Sequence, residues 1–146
     1  MFDKFFNKKE KKTNISSNIL VAALLIHAAK IDESYTDVEK KIIKEAIKEL
    51  GTSSQEEIEK IFINAEEKEK ESNQIVEFTR EIKKNPIEFR LKIIEILWKI
   101  VYSDGANDNY ESNLIRRVCG LLYVSDKDNG TIKLKVKNLS NKLWHI

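Results

Sequence analysis

The stretch from Tyr102 to Glu111 concentrates oxygen-bearing side chains in a short part of the chain. Asp104, Asn107, Asp108 and Glu111 offer hard oxygen donors, which suit Ca²⁺ or Mg²⁺ better than zinc, because zinc prefers nitrogen and sulfur ligands. The spacing differs from that of an EF-hand, whose bidentate glutamate is at the twelfth position, whereas Glu111 is eighth counted from Asp104. An ion bound here would act by neutralising carboxylates at a turn.

The same residues also have a purely structural explanation as helix ends and caps. Asp104 and Gly105 can end a helix, because glycine adopts the left-handed conformation at little cost. Asp108 is followed three residues later by Glu111, which is the spacing of a capping box worth about 1 kcal/mol. Capping does not account for Asp104, since a negative charge is unfavourable where a helix ends. The residues therefore leave a structural turn and a cation site as alternatives.

Two helices position this turn. The apolar segment from Ile87 to Val101 precedes it, and the amphipathic segment from Tyr110 to Leu122 follows it. The first of these helices is predicted to begin at Asn85-Pro86, with Asn85 as its cap and the proline at the first helical position. We therefore expect a buried helix, an acidic turn and an amphipathic helix in succession.

An internal repeat contains the same unit earlier in the chain. A shift of about 72 positions aligns Asp32 with Asp104 and Glu39 with Glu111. Thr36 stands where the second copy has its other aspartate, so the first turn is poorer in carboxylates. The apolar positions of the helices that follow also match: Val38, Ile42, Ile43, Ala46, Ile47 and Leu50 align with Tyr110, Leu114, Ile115, Val118, Cys119 and Leu122.

Helical periodicity extends through most of the chain, so we predict an all-α fold, a single compact domain of about seven helices. The first helix is predicted near residues 15–31, and the second from a Thr36 cap to Gly51. Ser53 or Ser54 would cap the third, which leads into a charged run, residues 66–71, interpreted as a solvated helix end and linker. The segment from Asp126 to Leu143 fits either a strand or a helix, and we predict a helix. Residues 1–13 are predicted to form a flexible basic and aromatic tail and residues 14–146 the domain.

Composition excludes several classes of protein. The chain has 146 residues, of which 41% are apolar and 34% charged, as expected for one globular domain. Its 26 basic and 24 acidic side chains nearly balance, so a polyanionic partner is not indicated. Cys119 is the single cysteine, which excludes an internal disulfide and favours the reducing cytoplasm. No apolar run approaches the roughly 20 residues of a membrane span.

Catalytic and nucleic-acid motifs are missing from the sequence. It has no Ser/His/Asp arrangement, glycine-rich phosphate loop or paired metal histidines, so we predict that the protein is not an enzyme. His27 lies on an apolar segment without a second metal-type ligand nearby in sequence, and is interpreted as a core histidine. Arg116 and Arg117 follow an acidic turn that would repel phosphates, so we do not expect DNA binding.

The N-terminal segment offers one further possible contact. Phe2, Phe5 and Phe6 precede a lysine-rich run, a combination that would suit a weak anchor on a membrane surface or on a partner protein. The alternative is a frayed tail, which terminal segments commonly form. We favour the frayed tail.

Two stretches resemble the TerB family of tellurite-resistance proteins. Leu97-Trp98-Lys99-Ile100-Val101-Tyr102-Ser103-Asp104-Gly105 leads into Glu111-Ser112-Asn113-Leu114-Ile115-Arg116-Arg117, and Leu25-Ile26-His27-Ala28-Ala29-Lys30-Ile31-Asp32 leads to Glu39. The same module is known beside the J-domain of a membrane-associated DnaJ-like co-chaperone. The similarity covers roughly Ile19 to Ser125, and Glu33 departs from it, since glycine is usual at that position.

This resemblance implies an all-helical domain of about seven helices with a non-catalytic, divalent-cation-binding acidic surface. Asp104, Asp108 and Glu111 are the ligands we expect first, with Asp32 and Glu39 second. We therefore expect a cation-binding or cation-sensitive interaction module in a stress response, with calcium or magnesium as the ion and a protein as the partner. The alternative is a purely structural or protein–protein interaction module without metal.

Overall fold

The computed structural model describes residues 17–31, 35–51, 54–72, 74–103 and 109–144, with side chains except at 109–111 and 140–144. Seven helices and no strands occur in these ranges, which confirms the all-α prediction. Helix α1 covers residues 17–30, and the others are α2 (Asp37–Glu49), α3 (Gln55–Glu71), α4 (Ile75–Ile82), α5 (Ile87–Tyr102), α6 (Asn109–Leu121) and α7 (Asp126–Trp144). The predicted tail and its boundary with the domain lie outside the described residues.

The predicted repeat is visible in the backbone. Both bounds of α2, 37 and 49, differ by 72 positions from those of α6, 109 and 121, and the same shift relates the ends of α1 and α5 at 30 and 102. The left-handed residues that follow α2 and α6 obey it too: Gly51 has φ 107° and Tyr123 has φ 55°. The helices on either side of the two turns are therefore duplicated in the described part of the chain.

Helices α1 and α5 form the centre of the core. Residues 21–26 of α1 are fully buried without interruption, so this helix is covered on all sides. Helix α5 buries Ile93, Ile94, Leu97, Trp98 and Val101. Each large apolar side chain removed from water stabilises the fold by about 1.5–3 kcal/mol, so these two helices supply much of the driving force for folding.

Amphipathic helices cover this centre, with one difference from the predicted faces. Helix α2 buries Ile43, Ala46 and Ile47 as expected, but Val38 is 57% exposed. Glu39, at 3% exposure, takes the inward position one turn before Ile43. Its carboxylate is drawn inward because it completes the capping box, and this turns Val38 toward solvent.

Side-chain caps begin two of the helices as predicted. The Thr36 hydroxyl accepts the Glu39 backbone N–H at 3.1 Å, and the Glu39 carboxylate accepts the Thr36 backbone N–H at 3.0 Å. Ser54, one of the two serines proposed, caps α3 by accepting the Glu57 backbone N–H. These local pairings satisfy backbone donors that a helix start leaves unpaired.

The predicted cap of α5 is wrong by one residue. Pro86 itself is the N-cap, with a non-helical ψ of 157°. The Asn85 side chain instead donates to the Ile82 carbonyl at 3.0 Å. The Asn85 backbone N–H also donates to this carbonyl, at 3.1 Å, so both donors of Asn85 bind the end of α4, and this competing local bond explains the difference.

The charged run at residues 66–71 is helical. This corrects its interpretation from the sequence as a solvated helix end and linker. Helix α3 continues to Glu71, and Glu69 is only 7% exposed. The run stays helical because Glu69 faces α1, where His27 and Lys30 pair with its carboxylate.

Polar contacts fasten α7 and α2 to α5. The Trp98 indole donates to the Asn129 amide oxygen at 2.9 Å, and Lys135 lies 3.4 Å from Glu95. Lys92 bridges Glu95, at 3.5 Å, and Glu49 of α2, at 3.3 Å. The predicted helical state of the last segment is confirmed, and its packing on α5 places the basic residue Lys135 beside a half-buried carboxylate.

The ion pairs of Glu95 predict how the free energy of unfolding changes as the pH falls. Burial alone would raise the pKa of Glu95, but Lys92, Lys99 and Lys135 outweigh it, so the pKa is lowered. A carboxyl group whose pKa is lower in the folded state stabilises above its unfolded value and loses that contribution as the pH falls. We expect Glu95→Gln to reduce the free energy of unfolding at pH 7 by ~1 kcal/mol and to have little effect near pH 2.

Urea unfolding at both pH values measures this difference, with Glu88→Gln on the exposed start of α5 as the control. An equal loss at both pH values would contradict the assignment, because it would mean that the carboxylate's charge contributes nothing.

Candidate functional site

The structure describes some of the five predicted ligands and not others. Asp32, Asp104 and Asp108 lie outside the described residues, and Glu111 lies in α6 with its side chain outside them. Glu39 is the ligand whose side chain the structure describes. The proposed cation site thus stays a prediction at all five positions.

Glu39 is held at the N-terminus of α2. Its Oε1 atom accepts from both the backbone N–H and the hydroxyl of Thr36, at 3.0 and 2.9 Å. The positive end of the helix dipole favours a carboxylate at this position. The predicted capping role of Glu39 is confirmed, and its role as a cation ligand remains a prediction.

The structure brings distant charges to the first turn, around Tyr35. The Tyr35 hydroxyl donates to Glu66 of α3 at 3.4 Å. The ammonium groups of Lys30 and Lys40 lie 5.6 and 4.8 Å from the centre of its ring, within the range of cation–π attraction. Burial, and after it the charges of Glu66, Glu39 and Glu69, raises the pKa of Tyr35 above its usual range. Tyr35 therefore lies between carboxylates of α2 and α3 and the ammonium groups of Lys30 and Lys40.

Glu69 is, like Glu39, a buried acidic group of this region. Its Oε2 atom lies 2.9 Å from Lys30 Nζ and its Oε1 atom 3.3 Å from His27 Nδ1. We refer to His27, Lys30, Tyr35, Glu39, Lys40, Glu66 and Glu69 as the first-turn cluster. A surface cavity of about 250 Å³ opens beside it, lined by His27, Lys30, Ile31, Glu69 and Lys70.

Sequence reasoning missed Glu66 and Glu69, and left His27 without a partner. The nearest ligand-type residue, Glu69, is distant in the chain and approaches His27 only through the packing of α3 on α1. One signal was available, because Glu69 continues the buried row of α3 formed by Ile58, Phe62 and Ala65. A charged residue in an apolar row indicates a buried ion pair.

The surroundings of the second turn differ. Tyr102 precedes it, stacks on Trp98 with ring centres 5.8 Å apart, and is nine-tenths buried. Its hydroxyl has no hydrogen-bond partner, and burial raises the pKa of Tyr102. The second turn is therefore preceded by a neutral aromatic side chain, where the first is preceded by Lys30.

Other candidate chemistry is limited in the described part of the chain. No group of three or more histidine, cysteine, aspartate or glutamate side chains there is arranged to hold a metal ion. Cys119 is buried, and burial, with a smaller contribution from Asp126, raises the pKa of its thiol to about 12. Its thiol therefore stays protonated at neutral pH and is neither a nucleophile nor a ready metal ligand.

The fold defines a class of protein: an all-helical domain in which α1 and α2 repeat as α5 and α6, with an acidic stretch of sequence between the helices of each pair. Comparison with protein families agrees, because the family described as tellurite resistance protein TerB matches residues 18–134. The chain belongs to the TerB family, as its motifs predicted. The DnaJ-like relation is not part of this match and stays an expectation.

No curated protein and no solved structure matches the chain significantly. TerB is a non-catalytic domain family, in line with the motif analysis. None of the helices in the described ranges has both the length and the apolar character needed to cross a membrane.

Glu69→Gln tests the energetic role of the first-turn cluster. The substitution keeps the side chain's shape but removes the charge that pairs with Lys30 and His27, and we expect it to lower the free energy of unfolding by about 1–3 kcal/mol. Urea unfolding measures the loss. Glu67→Gln, two positions earlier and exposed, is the matched control and should change stability by less than about 0.5 kcal/mol. Equal effects of the two substitutions would refute a stabilising pair at Glu69.

Proposed function

We propose that this TerB-family protein is a non-enzymatic, cytoplasmic module that binds a divalent cation, calcium or magnesium, or interacts with a protein partner in a cation-sensitive way. Its biological setting would be a stress response related to tellurite resistance. Asp104, Asp108 and Glu111 are the proposed principal ligands. Asp32 and Glu39 are the proposed second set.

The duplication of the acidic turn is the observation that carries this proposal. In both copies the helix before the turn ends at the same position of the repeat, and an aspartate follows it two residues later, Asp32 after Lys30 and Asp104 after Tyr102. A carboxylate at the C-terminal end of a helix meets the negative end of the dipole. Two copies of an unfavourable placement favour a functional reason over a structural one.

The potential at the first turn supports the same proposal. Burial, and after it the carboxylates of Glu66, Glu39 and Glu69, raises the pKa of Tyr35. Like charges repel one another, and Lys30 offsets part of this negative charge through its pair with Glu69. A cation that bridges the carboxylates of a turn would remove that repulsion, stiffen the helix junction and complete a surface for a partner.

A cation titration of wild-type protein and Asp104→Asn tests the proposal. We expect saturable heat and saturable amide shifts at Ser103 and Ser112, which flank the second turn, with calcium or magnesium. Asp104→Asn should weaken binding about tenfold, which corresponds to ~1.4 kcal/mol. Asp128→Asn, in the exposed first turn of α7, makes the same chemical change elsewhere and should leave binding unchanged.

Two results would contradict cation binding. One is the absence of saturation at millimolar ion concentrations. The other is an equal loss of affinity in Asp104→Asn and Asp128→Asn, which would reflect general charge screening. Either result would assign the carboxylates to helix capping.

The alternative function is a protein–protein interaction module that needs no metal. Apolar side chains exposed on α7 favour it, namely Leu134 at 60% and Leu139 at 48% exposure. Docking of a partner on such side chains removes apolar area from water and needs no ion. The predicted aromatic tail with Phe2, Phe5 and Phe6 would serve the same purpose.

Capture of partners by the full chain, with and without chelator, separates the two functions. Cation-sensitive interaction predicts at least a tenfold lower yield of a bound protein in chelator. An unchanged yield in chelator, together with loss of the protein from Leu134→Ser bait, would instead support the metal-free module. Val76→Ser, which changes an exposed apolar residue of α4, is the control bait.

A further inference from the structure

The outward side of α7 combines an exposed apolar side chain with lysines. Lys127, Gly130, Leu134 and Lys137 follow one another at helical spacing, on a side of α7 that points away from the buried Val136. Leu134 is 60% exposed, and both lysines are exposed. The acidic residues of α7 are confined to its first turn, so the rest of this side is positively charged. We call these four residues the α7 face.

The glycine in the α7 face is not required by the fold. Gly130 lies in the interior of a helix, where glycine is the least favourable residue after proline. Its backbone is not left-handed, and a methyl group there would meet no atom of a neighbouring element within 4 Å in the described residues. A glycine beside an exposed leucine allows another backbone to approach closely. The α7 face is therefore shaped for a contact that the folded chain does not itself make.

Helix α3 carries the opposite charge, with seven glutamates against three lysines. On its outward side Ile63 is 54% exposed, between the exposed Glu56 and Glu67. Lys60 and Lys70 lie on this side as well. The ammonium group of Lys60 is 3.7 Å from Glu56, but the two side chains are 72% and 81% exposed, so this pair holds the glutamate only weakly. We call Glu56, Ile63 and Glu67 the α3 face.

The two faces match in the order and spacing of their side chains. In each, a charged residue is followed seven positions later by an apolar residue, and three or four positions after that by a second charged residue. Seven positions are about two helical turns, so all three residues lie on the same side of their helix. Two such helices, side by side and in the same direction, would bring Leu134 against Ile63 and each lysine against a glutamate. Both faces are exposed in the folded chain, so this contact needs a second molecule.

We propose that this protein associates with a second copy of itself, through the α7 face of one molecule and the α3 face of the other. The two faces differ, so the interface is heterologous, and the assembly is a closed ring or an open chain according to the angle between neighbours. A single pair of helices buries less area than a typical stable interface, so the association is weak and depends on concentration. The inference goes beyond the proposed function and needs no cation. It gives the metal-free alternative a partner for Leu134.

Analytical ultracentrifugation of the full chain in chelator, from about 10 µM to about 1 mM, tests this inference. The average mass of the wild type should rise above the 17.0 kDa of one chain as the concentration increases. The rise should be smaller in about 1 M salt, which screens exposed charge pairs. Lys137→Glu and Glu67→Lys should each lower the association constant at least about tenfold, because each places like charges together. The controls, Lys41→Glu and Glu45→Lys on the exposed side of α2, should associate like the wild type.

Mixing the two charge variants identifies the contact. Glu67→Lys keeps an intact α7 face, and Lys137→Glu keeps an intact α3 face. An equimolar mixture should therefore form pairs of one molecule of each variant and grow no further. The double variant, in which the reversed charges meet again, should regain the association that each single variant loses.

Gly130→Gln separates the contact from the stability of the fold. Glutamine is a better helix former than glycine, so the urea midpoint should rise. Its side chain would fill the space that the approaching helix needs, so association should be lost. These opposite effects distinguish a docking face from a general weakening of α7.

Several results would overturn the inference. Wild type that stays monomeric to about 1 mM refutes it without any variant, and leaves the α7 face to a different partner. Association that the α2 controls reduce as much as Lys137→Glu and Glu67→Lys do would be a general charge effect. An unpaired mixture of the two variants, or wild-type association in Gly130→Gln, places the contact elsewhere. Chelator is present throughout, so each of these results leaves the proposed cation binding unaffected.

Discussion

Burial of α1 and α5 is the constraint on which the rest of this structure depends. Both helices are apolar around most of their circumference, so the other helices must cover them on several sides. The charged residues of α5, such as Lys92 and Glu95, pair with partners on α2 and α7. The ligands proposed for this TerB-family protein belong to the stretches that follow α1 and α5, because an apolar core disfavours unpaired charge.

The helices on either side of the two junctions have bounds that match after the shift of 72 positions, and the described residues near the junctions differ in charge. At the first, Lys30 and His27 pair with Glu69, and Lys40 approaches Tyr35, so α1, α2 and α3 are held together by polar contacts. The second is entered from Tyr102, which packs on Trp98 within the contact between α5 and α7.

Local rules predicted much of this fold. The capping box of Thr36 and Glu39, the Ser54 cap and the repeat were correctly inferred, because each depends on residues a few positions apart. The errors arose where two local demands competed. Asn85 closes α4 rather than opening α5, and Glu39 displaces Val38 from the buried face of α2. In each case a hydrogen bond between a side chain and a nearby backbone group decided the outcome.

The sequence by itself determined the class, the helices, the family resemblance and the position of the acidic turns, because hydrophobic period and capping chemistry are properties of neighbouring residues. The first-turn cluster was decided by tertiary structure alone. Glu69 lies 39 residues from Lys30 and 42 from His27 in the chain, and only the packing of α3 on α1 makes them neighbours. A run of charges such as residues 66–71 looks solvated until a facing helix supplies the opposite charge. Ion pairs between distant elements carry no periodic signal, and so only the folded chain reveals them.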